Sequence, residues 1–261
     1  MDTTLSRRAA LALPLLLAAP ARAADDVPNI AAAADLRLAL DAIAADFRHS
    51  TGKQVRISYG SSGNLTGQLL GGAPFQLFLS ADEAYVARLA AAGRTVDAGQ
   101  LYAIGRLALV ARRGGGFRVD ARLLGLRAAL AQGRIKHFAI ANPAHAPYGQ
   151  RAREALIGQK LWPDLQRRLV LGENVAQALQ FVLVGGAEAG IVSLALLRDP
   201  AVAPRLDAAV LPASWHRPLR QRMVLMRGAG TTARAFQGFL QTPQARQAFV
   251  RHGFTLPGEA G

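Results

Sequence analysis

Pro28-Asn29-Ile30-Ala31-Ala32-Ala33-Ala34-Asp35-Leu36 carries a short apolar run, Pro28 to Ala34, straight into a stretch with apolar residues at Leu36, Leu40, Ile43 and Phe47. The first part reads as a strand. The second reads as a helix, because apolar residues three or four apart share one helix face. Gln54 to Tyr59 alternates as a strand, Gly60 to Gly63 is a loop, and Asn64 to Leu70 is a short helix. Phe75 to Leu79 is a buried strand, followed by a helix from Ala84 to Ala92 that Gly93 stops. Strands alternating with helices at this spacing predict an α/β fold with a largely parallel sheet and helices on its faces.

The rhythm continues. Ala103 to Ala111 reads as one strand, and Gly114-Gly115-Gly116 as a turn; without a following Lys-Ser or Lys-Thr it is no phosphate loop. Strands are expected at Phe138 to Ala141, Leu169 to Leu171, Ala189 to Val192, Ala208 to Leu211 and Leu219 to Met226. Helices are expected at Gly149 to Gln159, Val175 to Val184, Thr231 to Leu240 and Pro243 to Val250.

In such sheets ligands bind beyond the carboxyl ends of strands, where loops meet helix starts. Ala34-Asp35 follows the first strand. Tyr59-Gly60-Ser61-Ser62-Gly63-Asn64 follows the second, and Ser61 and Ser62 add hydroxyl donors to free amides. Asn142-Pro143-Ala144-His145-Ala146-Pro147-Tyr148-Gly149 opens a third helix with a phenolic donor at Tyr148. Glu173-Asn174-Val175 opens a fourth, where the Val175 amide has no partner within the helix. Ser193 follows Gly190-Ile191-Val192. Amides and hydroxyls at helix N-termini make an anion site without a formal cation. Ser-Ser before a helix also reads simply as a cap. Several such loops in both halves of one chain point to two lobes facing a shared cleft.

Composition sets the bounds. The 261 residues are 51% hydrophobic, enough for a substantial core, and contain no cysteine, so neither disulfides nor thiolate chemistry are available. Arg7-Arg8, the apolar run Ala9 to Pro20 and the small residues of Ala21-Arg22-Ala23 form a secretory signal over residues 1–23, too short to span a bilayer. Ser6-Arg7-Arg8 with Leu11 also fits a twin-arginine signal. The formal charge is +14, and the arginines are dispersed rather than clustered, which argues against a nucleic-acid surface and suits weak steering of anions.

Other chemistries have weaker support. Gly60-Ser61-Ser62-Gly63 is one residue short of the Gly-x-Ser-x-Gly of many hydrolases. His49, His137, His145, His216 and His252 lack metal-ligand spacing, and only His145 falls in a helix-start loop. A secreted hydrolase remains the distant alternative, and the expectation is a protein without catalytic residues or cofactor.

Ala31-Ala32-Ala33-Ala34-Asp35-Leu36, Tyr59-Gly60-Ser61-Ser62-Gly63-Asn64-Leu65, Gly72-Ala73-Pro74-Phe75 through Asp82, Asn142-Pro143 with Ala146-Pro147-Tyr148-Gly149, Gly190-Ile191-Val192 and His252-Gly253-Phe254 resemble, in order and spacing, the periplasmic molybdate-binding proteins of ABC importers. The likeness covers residues 28–257. It implies a type II periplasmic binding protein fold: two α/β lobes with mixed, mostly parallel sheets and the ligand in the interlobe cleft. One lobe would be 24–104 plus 218–261 and the other 105–217. It further implies a periplasmic receptor, acting as a monomer, that delivers molybdate or tungstate to an inner-membrane permease. By the resemblance the site residues are Ala34, Asp35, Ser61, Ser62, Tyr148, Val175 and Ser193, with the molybdenum or tungsten oxyanion held through Ser62, Tyr148 and Val175. Ser80 and Asp82 match the family as loop-fixing groups.

Asp35 departs from the pattern, standing where members place Ser, Thr or Asn. Like charges at ~4 Å and an effective dielectric of ~20 cost about 4 kcal/mol for each unit of charge on the ligand. Asp35 therefore caps the helix with its carboxylate turned away, or accepts a proton from a protonated ligand, or is itself protonated, or serves another cargo: phosphate, arsenate, a neutral oxyacid or a metal species.

Overall fold

The computed structural model describes residues 27–258. The expected export signal lies outside them. Two five-stranded sheets form the frame.

The first sheet contains β1 (Asn29–Ala33), β2 (Arg56–Gly60), β3 (Phe75–Ser80), β4 (Gln100–Gly105) and the late strand β10 (Leu219–Leu225). Its order is β2-β1-β3-β10-β4, with β1 parallel to β2 and β3, and β10 antiparallel to both its neighbours. The second contains β5 (Leu107–Arg112), β6 (Phe138–Ala141), β7 (Leu169–Gly172), β8 (Ala189–Ser193) and β9 (Leu206–Val210), in the order β7-β6-β8-β5-β9. Here β6 runs parallel to β7 and β8, while β5 is antiparallel to β8 and β9. The two sheets thus share one plan, a parallel trio extended by antiparallel strands.

Helices follow the parallel strands: α1 (Arg37–Thr51), α2 (Ser62–Leu70) and α3 (Glu83–Ala91) on the first sheet, α5 (Pro147–Gly158) and α7 (Val175–Leu183) on the second. α8 (Thr231–Phe239) and α9 (Pro243–Arg251) close the chain. The α1 stripe behaves as its spacing predicts: Ala39, Leu40, Ile43 and Phe47 are buried. Phe47 meets Phe236 and Phe239 edge to face, at 5.1 and 5.4 Å between ring centres, which ties α1 to α8.

The strand expected from Ala103 to Ala111 is two strands in different sheets. β4 ends at Gly105, Arg106 crosses, and β5 begins at Leu107. The apolar run on either side of Arg106 gives no sign of a change of sheet, because both strands are buried. The chain returns to the first sheet through residues 211–218. Two helices were not anticipated, α4 (Leu124–Ala131) and α6 (Trp162–Leu165). α4 starts without a side-chain cap at its own N-cap, Leu123, which is left-handed at φ 59°. Asp120 holds the approach instead, accepting from the amides of Arg122, Leu124 and Gly125.

Candidate functional site

Four helix starts meet at one place. After β1, Ala33 stays extended (φ −60°, ψ 141°) and a single 3-10 turn, Ala34–Leu36, leads into α1. After β2, Ser61 is extended and caps α2, its Oγ accepting from the Asn64 amide at 3.4 Å. After β6, Pro147 occupies the first turn of α5, where its missing N–H costs nothing. After β7, Asn174 caps α7, its Oδ1 accepting from the amides of Ala176 (3.0 Å) and Gln177 (3.1 Å). These four starts line a small cavity that includes Ala34, Asp35, Ser61, Ser62, Tyr148 and Val175. Amides in the first turn of a helix have no acceptor within the helix, so the wall is rich in donors.

Ser62 is completely buried. Its Oγ accepts from the Ala81 amide at 3.0 Å. With that lone pair occupied from the protein side, the hydroxyl proton is left to donate elsewhere, and Ser62 lines the cavity.

Asp35 does not cap. Ala33 holds the N-cap position of its turn, and no side chain caps it. The carboxylate is 1% exposed and turned inward. Its Oδ2 accepts from the Tyr148 hydroxyl at 2.9 Å and from Gln221 Nε2 at 2.6 Å. Gln221 is oriented by Tyr102, whose hydroxyl donates to Gln221 Oε1 at 2.8 Å. The other oxygen, Oδ1, is buried with no partner. Burial raises the Asp35 carboxyl from the ordinary 3.8 to about 6, against the opposing pull of the Gln221, Tyr148 and backbone hydrogen bonds. Burial, with the field of Asp35, also pushes the Tyr148 phenol well above its ordinary range, so Tyr148 keeps its proton. Gly105 makes room for this cluster. A Cβ there would stand 2.3 Å from Tyr148 Oη and 3.0 Å from Gln221 Nε2.

The cavity is roofed by contacts between the two sheets' loops. The Gly63 amide donates to the His145 carbonyl at 2.9 Å, and a Cβ at Gly63 would sit 2.4 Å from that oxygen. Ser61 Oγ lies 2.9 Å from His145 Nδ1, while His145 Nε2 lies 3.7 Å from Glu173 Oε2. Asn64 Nδ2 donates to Glu173 Oε1, and Tyr85 donates to the His145 carbonyl at 3.3 Å. Arg151, on α5, pairs with Asp82, the cap of α3. Ser80 and Asp82 fix that loop: Ser80 Oγ donates to the Asp82 carbonyl at 2.7 Å.

A family model for bacterial extracellular solute-binding proteins matches residues 28–255. The chain belongs to this family. The molybdate-binding protein of Azotobacter vinelandii is 33% identical to it over 259 residues, covering 98% of this chain and 100% of the relative. The molybdate-binding protein of Escherichia coli is 31% identical over 258 residues, covering 95% and 96%. A solved structure, the Azotobacter vinelandii periplasmic molybdate-binding protein, superposes with a TM-score of 0.80 at 30% identity and covers 88% of this chain and 99% of that one. The fold is the two-lobe α/β fold of type II periplasmic binding proteins.

In this extracellular binding-protein frame, six of the seven residues expected from the sequence line one cavity. Ser193, at the end of β8, does not line it; it is buried, bonds to Tyr148 from behind, and accepts from the Ala195 amide at 3.2 Å. Tyr148, expected to donate to a ligand, donates its hydroxyl hydrogen bond to Asp35 here. Gln221, Tyr102 and Gly105 were not singled out in the sequence. Gln221 is 186 residues from Asp35, and a polar residue in a strand carries no mark of what it faces. The Ser61–His145–Glu173 chain has the residue types of a hydrolase triad, but Ser61 Oγ serves as a helix cap and is 4% exposed. His145 comes from the opposite sheet's loop, so the chain bridges the loops of the two sheets. Among the described residues no group of three or more His, Asp or Glu side chains is placed to hold a metal ion.

Proposed function

We propose that the chain is a periplasmic receptor that captures molybdate or tungstate and delivers it to an ABC importer in the inner membrane. The observation that carries this reading is the convergence of four helix starts from two sheets, with the Ser62 hydroxyl, on one cavity. Such a site holds an oxyanion through oriented N–H and O–H dipoles, without a formal cation. The molybdate-binding relatives, at 33% and 31% identity over nearly the whole chain, favour that oxyanion.

Ser62 donates its hydroxyl, and Val175 and the Ala34-Asp35 turn donate amides. Ser61 holds the α2 start in place, and Tyr148, backed by Ser193, positions Asp35. The lobes are 24–104 plus 218–261 and 105–217, and they close on the ligand. Residues 1–23 direct export, by the general or the twin-arginine route. The receptor works as a monomer, without cofactor, catalysis or nucleic acid.

Calorimetric titration of the mature chain with molybdate, tungstate, sulfate, phosphate and arsenate tests this. Molybdate and tungstate are expected to bind at about micromolar Kd or tighter. No heat from either up to about millimolar concentration would exclude them. Tighter binding of phosphate or arsenate would move the receptor to an oxyanion that carries its own proton, a reading favoured by the unpartnered Asp35 Oδ1.

A further inference from the structure

Asp35 poses an electrostatic problem at an oxyanion site, and its hydrogen bonds indicate how it is solved. Oδ2 is saturated by two donors, Tyr148 and Gln221. Neither donor can be reversed at low cost. Gln221 is fixed by Tyr102 at its other end, and Tyr148 sits in surroundings that hold its proton. Oδ1, on a residue that lines the cavity, is buried and has no hydrogen-bond partner of good geometry, the Asp35 backbone amide being the one further donor near the carboxyl. A carboxylate divides its charge over both oxygens, so one saturated and one bare buried oxygen is a poor arrangement for the ionised form. It is the natural arrangement for the neutral acid, where the carbonyl oxygen accepts and the hydroxyl oxygen donates.

We infer that Asp35 is protonated on Oδ1 when the site is loaded and donates that hydrogen bond to the oxyanion, so that capture is coupled to the uptake of one proton. This rests on the oxyanion-receptor reading above. The balance is simple. The dianion enters unchanged, one proton passes from solvent to Oδ1, no bond of the ligand is made or broken, and release returns the proton. Asp35 thereby becomes the neutral donor that the position needs, and it makes affinity a function of pH.

No other charged side chain is seen to supply this effect at Asp35. β10 presents Gln221, β4 Tyr102, α5 Tyr148 and β8 Ser193. α7 presents Val175 and, as its cap, Asn174. The 3-10 turn Leu194–Arg198 buries Ala195, Leu196 and Leu197, and its Arg198 is exposed. Arg37 and Asp41 of α1 are engaged with Tyr59, and His145 and Glu173 with each other at the roof. The carboxyl's shift up to about 6 agrees with this geometry, since it brings Asp35 within reach of a proton near neutral pH.

The test is titration with sodium molybdate in buffers of different ionisation enthalpy, between about pH 5.5 and about pH 8.5, on the wild type and Asp35→Asn. The wild type is expected to take up about one proton per molybdate at the alkaline end, with affinity falling about tenfold per pH unit there. Asp35→Asn keeps a neutral donor, so it should take up none, bind independently of pH, and exceed the wild type by at least about tenfold at about pH 8.5. Infrared difference spectra should show a protonated carboxyl stretch appearing with molybdate in the wild type and absent in the variant. Wild-type binding without proton uptake or pH dependence would overturn the inference and leave the receptor reading intact. So would a pH slope that survives in Asp35→Asn, or binding by the variant alone. Failure of both proteins to bind any oxyanion would instead remove the receptor reading, and the inference with it.

Discussion

The Tyr148 hydroxyl donates to Asp35 Oδ2 across 2.9 Å, from the start of a helix on one sheet to the turn leaving the first strand of the other. Both side chains are almost fully buried. The bond therefore joins the two halves of the molecule at the floor of the cavity, in a place that water does not reach.

Changing Asp35 to Asn should alter how stability depends on pH in the ligand-free protein. In the folded chain the carboxyl stays protonated up to about 6, whereas unfolded it ionises from 3.8. The folded state holds the extra proton across that interval, so stability falls as pH rises through it and stays lower above. The full effect is on the order of 3 kcal/mol. Glu83 and Glu154 act oppositely. Their arginine partners outweigh desolvation and hold them low, so their contribution is lost only in acid. Thermal unfolding from about pH 5 to about pH 8 checks this, with the wild type losing more stability than Asp35→Asn.

Val175→Pro should separate binding from folding. Val175 is the first residue of α7, where proline is tolerated, and the preceding Asn174 is already extended (φ −147°, ψ 177°), as a residue before proline must be. The substitution removes one N–H from the cavity wall and leaves the helix. Molybdate affinity should fall about 10- to 150-fold, matching a lost hydrogen bond to a charged group of ~1.5–3 kcal/mol, while the circular dichroism spectrum is unchanged.

Ser62→Ala removes the hydroxyl on the α2 side. Affinity should fall by a similar ~1.5–3 kcal/mol, and the Ala81 amide loses its acceptor, at a cost to stability of about 1–3 kcal/mol. Calorimetry and urea unfolding read the two effects separately. An unchanged affinity would mean that the hydroxyl does not face the ligand.

Gly105→Ala should be disruptive out of proportion to one methyl group. The new Cβ would lie 2.3 Å from Tyr148 Oη, so the Tyr148–Asp35–Gln221 cluster must move. Overpacking of this kind costs roughly 1–3 kcal/mol. A lowered Tm together with a lost pH dependence of binding is the expected pair of results.

The frame was legible because its signals are local. The apolar residues of α1 repeat at helical spacing, and the starts of α2, α5 and α7 carry Ser61, Pro147 and Asn174, residues whose side chains or rings suit a helix start. The cavity followed, since helix starts at the carboxyl ends of parallel strands are forced together by the sheet. What escaped was set by tertiary neighbours. Arg106 divides two strands that read as one, Asp120 starts α4 from outside the helix, and Gln221 meets Asp35 only because β10 returns late in the chain to the first sheet. Asp35 left several readings open in the sequence, capping among them, and the structure sets capping aside because the carboxylate accepts from Tyr148 and Gln221.

The roof over the cavity consists of hydrogen bonds and ion pairs: Gly63 to His145, Ser61 to His145, Asn64 to Glu173 and Arg151 to Asp82. Each of these polar contacts can be exchanged for contacts with water. A carrier that must surrender its cargo on contact with a membrane machine benefits from such a lid. Its grip then depends on what lies inside.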